Sequence, residues 1–186
     1  DVLPYVSSEN TARDMDRIRQ AVGDKGLTYV GYSYGSYIGT LYARLFPTKV
    51  RALVFDGAID PNLSGIEIGV EQATSFERSL DEFLAQCSRN NRCPFYNAGD
   101  SADAFDRLAA QVDAQPLPAR RGRTLGPGEF YSGVWQPLYA GEEGYAQLEQ
   151  ALAAAQRGDG TRLLALSDQY TRRRADGTYA STHQAF

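Results

Sequence analysis

The sequence is poor in the residues that build metal sites and disulfide frameworks. Its 186 residues include one histidine and two cysteines, and the Cys-x5-Cys spacing of Cys87 and Cys93 is not a zinc pattern. No apolar run approaches the roughly 18 residues of a membrane-spanning helix, and no stretch forms a block of basic residues. We therefore expect no metal site, no membrane span and no nucleic-acid partner.

What the sequence does contain is enough apolar material for a folded domain. Hydrophobic residues make up 42% of the chain and the net charge is −4, which is typical of a globular protein of one-domain size. No internal repeat is present. The chain opens on Asp1 and not on Met, so we expect the native start to lie elsewhere.

Helical and strand patterns alternate over the first third of the chain. Apolar residues at three- and four-residue steps predict a helix over residues 8–22, with capping-box spacing at Thr11 and Asp14. Short apolar runs at 27–31 and 50–55 predict buried strands, and a second helical stripe lies between them. This order predicts parallel strands joined by crossover helices.

Beyond residue 66 the patterns are almost only helical. The apolar stripes predict five helices, near 67–86, 102–112, 129–139, 143–156 and 161–174. A link rich in proline, glycine and arginine, residues 115–128, separates the second of these from the third. The fold class is therefore α/β, with parallel strands over residues 1–62 followed by a mostly helical module over residues 63–186.

One motif in this chain has chemical meaning. Gly31-Tyr32-Ser33-Tyr34-Gly35 fits G-x-S-x-G at a predicted strand-to-helix turn, the pattern of a nucleophile elbow. The sharp turn lifts the serine hydroxyl clear of the sheet, and the flanking glycines let strand and helix backbones approach. The next residue offers its backbone N–H to a developing oxyanion. The alternative is a glycine-rich turn with an idle serine.

Residues 5–65 resemble a known enzyme family over a dense set of motifs. The segments are "SSENTARDMDRIRQAVG" and "YVGYSYGSYIGTLYARLFPTKVRALVFDGAIDP". They are similar to the tripeptidyl-aminopeptidase-like branch of the α/β-hydrolase serine peptidases, with the proline iminopeptidases as more distant relatives. The resemblance implies that Ser33 is the nucleophile, that the Tyr34 N–H is an oxyanion donor, and that residues 63–186 form a cap domain. It implies no metal or organic cofactor.

A serine nucleophile needs a histidine base and an orienting acid, in the chain order serine, acid, histidine. The resemblance places both on core strands after the cap domain, so we expect an incomplete chain whose acid and base lie outside it. His183 is the one histidine present, and we interpret it as a surface residue and not the base. Asp56 and Asp60 are weaker candidates for the acid, since both positions are also ordinary turn chemistry.

Further candidates lie in the predicted cap domain. Glu67 and Glu71 are one helical turn apart and either hold the amino terminus of a peptide or form a solvated helix face. Four aromatic residues at helical spacing either line a cleft or pack between helices; they are Phe130, Tyr131, Trp135 and Tyr139.

Cys87 and Cys93 flank a polar turn, and thiols six positions apart across a turn can reach disulfide distance. We predict a local disulfide; the alternatives are free thiols or pairing with another cysteine. A disulfide indicates an oxidising compartment, which agrees with the exported character of the family, so we expect a secreted or cell-envelope location.

Taken together, the residues and the resemblance predict a serine hydrolase. It would release short peptides from the amino end of peptide substrates through an acyl-enzyme. An esterase or amidase acting on small molecules, and a non-catalytic binding module with the same fold, are the alternatives. The partner is therefore a small peptide or another small molecule, and the oligomeric state is left open.

Overall fold

The chain folds into two compact units. The computed structural model describes residues 2–180, and the chain divides into units of residues 1–72 and 73–186. The described part holds a parallel strand pair, a short antiparallel pair and seven α-helices, which confirms the α/β class. The assignment of a hydrolase core to residues 1–62 and a cap domain to residues 63–186 stays a prediction.

The first unit is a helix followed by a β-α-β unit. Its elements are α1 (Ser8–Ala21), β1 (Leu27–Tyr32), α2 (Tyr34–Leu45) and β2 (Val50–Asp56). The two strands are parallel, as predicted, and their carboxyl ends lie in register, with Gly31 opposite Phe55 and Tyr32 opposite Asp56. The β1–α2 turn therefore lies beside the end of β2.

Only one face of this strand pair is covered. Helices α1 and α2 pack together around Ala12 and Tyr42, both fully buried. On the other face, alternate residues of the strands remain open: Val30 is 52% exposed, Tyr32 67% and Val54 59%. Because side chains alternate across a strand, this leaves one apolar sheet face without cover in residues 2–180.

The second unit is built from helices. Helix α3 (Gly65–Arg89) begins in the first unit and continues into the second. The elements that follow are α4 (Ser101–Ala114), β3 (Leu117–Pro118), β4 (Thr124–Leu125), α5 (Pro127–Leu138), α6 (Glu142–Gln156) and α7 (Thr161–Tyr170). Their buried side chains form one core, which includes Phe83, Phe95, Phe105, Phe130, Leu148 and Leu163. No described helix combines the length and hydrophobicity needed to cross a bilayer.

The 115–128 link, which lies between the predicted helices, contains two short strands. There β3 and β4 form a minimal antiparallel pair, and the N–H of Ala119 donates to the carbonyl of Arg123 at 2.8 Å. Arg121 and Gly122 take positive φ values of 61° and 71°, which turn the chain back within a few residues. Two-residue strands have no periodicity, so the pattern gave no signal.

Two predicted helix ends also differ from the structure. Helix α1 is capped by Ser7, whose side chain accepts the N–H of Asn10 at 3.1 Å, and not by Thr11. Helix α7 ends at Tyr170, four residues before the predicted end at residue 174. Beyond it, Arg172 has φ 51°, and the N–H of Arg174 donates to Thr178 O at 2.7 Å. This turn takes the hydrogen bonds that a longer helix would need.

The predicted disulfide is present. Cys87, near the end of α3, is bonded to Cys93, with their Cα atoms 5.4 Å apart. Both residues are almost fully buried in the core of the second unit. The bridge therefore joins the end of α3 to the chain that leads into α4.

Candidate active site at the β1–α2 turn

Ser33 has a strained backbone at the point where β1 becomes α2. It is the N-cap residue of α2, with φ 49° and ψ −119°. A positive φ in a residue other than glycine costs on the order of 1–3 kcal/mol and persists only where the surroundings enforce it. The Ser33 side chain is exposed. A strained turn that presents a hydroxyl to solvent is the local geometry of a nucleophile elbow.

The close approach of strand and helix explains the glycines around this serine. A Cβ atom at Gly31 would lie 2.6 Å from Gly35 O and 2.7 Å from the Tyr29 ring. A Cβ atom at Gly39, one helical turn after Gly35, would lie 2.5 Å from the Phe55 ring. At Gly35 the nearest atom would be the Tyr29 hydroxyl oxygen, at 3.1 Å. The strongest steric demand therefore falls on Gly31 and Gly39.

Hydrogen bonds fix the main chain on both sides of Ser33. Its N–H donates to the carbonyl of Asp56 at the end of β2, at 2.8 Å. Its carbonyl accepts two hydrogen bonds from Ser36, a buried residue that the motif does not single out. The Tyr29 hydroxyl donates to Gly35 O at 2.8 Å. These bonds hold the turn to both strands and account for the strained φ.

Tyr34 is the first residue of α2, where a backbone N–H has no partner inside the helix. This N–H lies at the positive end of the helix dipole, so it suits an anionic oxygen next to Ser33. The Tyr34 side chain is held apart from this role. Its hydroxyl lies 2.6 Å from Ser8 Oγ, and its ring stacks on Tyr37 with centroids 5.4 Å apart.

The candidate acids take different places. Asp56 contacts the turn through its carbonyl, which accepts the Ser33 N–H. Asp60 opens a turn, because its carboxylate accepts both the N–H and the side-chain amide of Asn62 at 2.9 Å. His183 lies outside the described residues, so residues 2–180 contain no histidine.

Glu67 has a structural task that the sequence analysis missed. Its carboxylate accepts the N–H of Ser64 at 2.7 Å, and the Ser64 hydroxyl accepts the N–H of Glu67 at 3.3 Å. This is a capping box at the start of α3, and the spacing Ser-x-x-Glu was the signal that could have revealed it. The backbone hydrogen bond from Ser64 lowers the pKa of Glu67.

The aromatic residues on α5 and at its C-cap differ in burial, although Tyr131 contacts the rings of both Phe130 and Trp135. Phe130 is fully buried in the core of the second unit, whereas Tyr131 is 43% and Tyr139 60% exposed. Trp135 stacks on Phe76 with ring centroids 5.5 Å apart. Core packing therefore explains Phe130, and a role in binding for the others stays a prediction.

A buried ionic network links α1 to α2. Asp16 accepts hydrogen bonds from Arg19 Nε at 2.8 Å, from the Gln20 amide at 2.5 Å and from the Tyr42 hydroxyl at 3.0 Å. Arg19 also donates to the carbonyl of Asp24. The hydrogen bond from Arg19 is the main reason that the pKa of Asp16 is lowered, and burial works against it.

The described residues show no grouping of three or more His, Cys, Asp or Glu side chains able to hold a metal ion.

Sequence similarity to known proteins extends over nearly all of this chain. The family model for the alpha/beta hydrolase fold matches residues 5–120. The chain is 38% identical to serine protease Hip1 of Mycobacterium tuberculosis, over 98% of the chain and 36% of that protein. It is 40% identical to carboxylesterase B of the same organism, over 99% of the chain and 36% of that protein. Tripeptidyl aminopeptidase of Streptomyces lividans is 33% identical over 74% of the chain and 27% of that protein.

The chain thus spans about a third of the length of these curated relatives. The matched residues include both strands, the strained serine and the glycines around it. The resemblance drawn from the motifs is confirmed, since a serine protease and a tripeptidyl aminopeptidase are among the relatives. The chain belongs to the alpha/beta hydrolase family.

Proposed function

We propose that the protein is a serine hydrolase and that Ser33 is its nucleophile. The observation that carries the proposal is the backbone of Ser33, whose φ of 49° at a strand-to-helix turn presents an exposed hydroxyl. Backbone strain clusters at active sites, and the ψ of −119° takes Ser33 outside the ordinary left-handed region that Arg121 occupies with φ 61° and ψ 34°. Relatives named as a serine protease and a carboxylesterase support the same chemistry.

In the proposed reaction Ser33 Oγ attacks the carbonyl carbon of the substrate while a histidine takes the hydroxyl proton. The carbonyl oxygen becomes an oxyanion, which accepts a hydrogen bond from the Tyr34 N–H. The histidine then protonates the leaving amine or alcohol, and an acyl-enzyme remains on Ser33. Water hydrolyses this ester and regenerates the hydroxyl. The histidine and its acid come from outside residues 2–180, and His183 is not this base.

The proposed substrates are peptides with a free amino terminus. The tripeptidyl aminopeptidase relative supports this class. The carboxylesterase relative favours a second candidate, hydrolysis of small esters. Both use the same nucleophile and oxyanion donor. A location in an oxidising compartment, secreted or in the cell envelope, is supported by the Cys87–Cys93 disulfide.

Kinetics on the naturally expressed protein test this proposal. A tripeptide p-nitroanilide should be cleaved when its amino terminus is free and at least about tenfold more slowly when it is acetylated, because a hydrogen bond to a charged group contributes about 1.5–3 kcal/mol. Ser33→Ala should lower turnover by on the order of 10⁴ or more. Ser79→Ala on α3 is the control and should match wild type. Turnover of p-nitrophenyl butyrate alone would favour the esterase, and turnover of no substrate would favour the binding module.

A companion variant tests the base. His183→Ala should keep turnover within a few-fold of wild type, whereas loss of a true base costs on the order of 10⁴. A loss of that size in His183→Ala, with folding intact by circular dichroism, would assign the base to His183 after all.

A further inference from the structure

Ser36 is a buried polar residue that the elbow motif leaves unexplained. It lies in the first turn of α2 and is 1% exposed. Its hydroxyl donates to the carbonyl of Ser33 at 2.6 Å and accepts the N–H of Ile59 at 2.9 Å. A buried hydroxyl with one donated and one accepted bond is held in a single orientation.

The carbonyl that Ser36 holds belongs to the same peptide unit as the Tyr34 N–H. Ser33 O accepts the N–H of Ser36 at 2.9 Å as well as its hydroxyl. The peptide is planar and trans, since residues 2–180 contain no cis bond, so its C=O and N–H point in opposite directions. Fixing the oxygen therefore fixes the direction in which the Tyr34 N–H points.

We propose that Ser36 is a positioning residue that aims the Tyr34 N–H at the substrate oxyanion. Ser33 has its own N–H fixed by Asp56 O, at 2.8 Å, and its carbonyl fixed by Ser36. The two bonds act on opposite sides of the same strained residue. The Ile59 N–H donates to the Ser36 hydroxyl oxygen, so the hydroxyl proton of Ser36 is free to be donated to Ser33 O.

This inference rests on the proposed function, because aiming a donor has a kinetic effect only where an oxyanion forms. The effect should appear in the transition state and not in substrate binding, since the negative oxygen exists only there. If the hydroxyl had only a structural role, removing it would lower stability without a selective loss of kcat.

Thr40 offers a matched control on the same helix. Its hydroxyl donates to Ser36 O at 3.0 Å, which is the same kind of side-chain to backbone bond one turn later. It does not contact the Ser33–Tyr34 peptide. Thr40→Ala therefore removes a hydroxyl from α2 without releasing the oxyanion donor.

The experiment measures the turnover of the naturally expressed protein and its affinity for a reversible inhibitor, phenylboronic acid. Ser33→Ala first establishes that turnover depends on Ser33; if it does not, the proposed function fails and the Ser36 inference falls with it. If turnover depends on Ser33, Ser36→Ala should lower kcat by about tenfold or more, because a misplaced catalytic group has an effect of this size. Its KM should stay within about threefold of the wild-type value. Affinity for phenylboronic acid, which forms a tetrahedral anion on a nucleophilic serine, should fall by a similar factor.

Two further variants separate aiming from packing. Ser36→Cys keeps the side-chain volume but replaces the hydroxyl with a weak S–H donor, so its kcat should fall as in Ser36→Ala. Ser36→Thr keeps the hydroxyl, so its kcat should stay closer to wild type than that of Ser36→Ala. Thr40→Ala should lower kcat by no more than about threefold. Wild-type kcat in Ser36→Cys, or equal loss in Thr40→Ala and Ser36→Ala, would overturn the proposal.

Discussion

At the scale of single residues, the two glycines of the motif meet different surroundings. Gly31 is buried, and a Cβ atom there would lie within 2.7 Å of the backbone of Gly35 and the ring of Tyr29. Gly35 faces only the Tyr29 hydroxyl oxygen, at 3.1 Å from its added Cβ. The Tyr29 hydroxyl can shift by a few tenths of an ångström to make room for a methyl group. The backbone of Gly35 cannot give way without displacing the whole turn.

Gly31→Ala is therefore expected to be more harmful than Gly35→Ala. Moving the helix displaces Ser33, so turnover should fall by about 10²-fold or more in Gly31→Ala and by about tenfold or less in Gly35→Ala. Steady-state kinetics with thermal melting measures both effects. Gly69→Ala on α3, where an added Cβ has open space, is the control. The reverse order of damage would show that the turn is not held by strand–helix contact.

Sequence spacing predicted Ser33 and its glycines but not the residues that hold them. G-x-S-x-G is visible because steric rules fix residue types at fixed steps. Asp56 holds the turn through its main-chain carbonyl, which sets no requirement on its side chain, and the Ser36 hydroxyl donates to a main-chain carbonyl, a contact that no fixed residue spacing in the motif reveals. Asp16 meets Arg19 within α1, but it meets Tyr42 only because α1 packs on α2.

At the scale of elements, the Asp16 network joins α1 to the helix that carries the elbow. Asp16 and Arg19 are both less than a tenth exposed, and the Tyr42 hydroxyl reaches Asp16 from α2. A buried charge left without its partner is strongly destabilising. The network therefore helps to fix the position of α2 against α1.

This network predicts an acid-sensitive contribution to stability. The pKa of Asp16 is lowered from its ordinary value of 3.8, mainly by the Arg19 hydrogen bond. A lowered folded-state pKa stabilises the fold above the ordinary value, and this stability is lost as the pH falls through the lowered pKa. Asp16→Asn should lower the thermal midpoint at pH 7 by about 5 °C or more, and the difference from wild type should shrink near pH 3.

Tyr42→Phe is the matched control for this prediction. It removes one hydrogen bond to Asp16 and keeps both the ring and the Arg19 pair, so its loss should be smaller and its acid dependence close to wild type. Thermal melts by circular dichroism between pH 3 and pH 7 measure all three proteins. An Asp16→Asn difference that stays constant over this range would contradict the account.

The sequence predicted elements better than their ends. Apolar periodicity predicted a helix over 8–22 and strands at 27–31 and 50–55, and all three are within one residue of the structure at each end. The cap of α1 was misplaced because Ser7 and Thr11 are both suitable cap residues; the Ser7 side chain accepts the Asn10 N–H, whereas Thr11 lies inside the helix and its hydroxyl donates to Ser7 O. The β3–β4 pair has only two residues per strand, too few to show alternation.

At the scale of the whole molecule, the disulfide stabilises the second unit. The chain-entropy model gives about 2–3 kcal/mol for a loop this short. Cys87→Ala/Cys93→Ala should lose about that much free energy of unfolding, and a reducing agent should destabilise wild type but not the variant. Peptide mapping without reductant should find the bridge in protein recovered from cells. Two free thiols there would contradict both the bridge and the exported location.

The exposed sheet face bears on how the chain behaves alone. Val30, Tyr32 and Val54 leave an apolar surface on a two-stranded sheet, and two strands with open edges are rarely stable in isolation. A polypeptide of residues 1–186 should therefore exchange amide hydrogens faster in β1 and β2 than in α5–α7. Equal protection in a monomeric polypeptide would contradict this expectation.

The central claim is that Ser33 is a nucleophile, and active-site labelling tests it most directly. The naturally expressed protein is treated with a fluorophosphonate, which reacts covalently with activated serine hydroxyls, and the modified peptide is located by mass spectrometry. The account predicts one labelled residue, Ser33, with labelling lost in Ser33→Ala and retained in Ser79→Ala. Labelling that persists in Ser33→Ala, or a folded wild-type protein that takes no label, would contradict it.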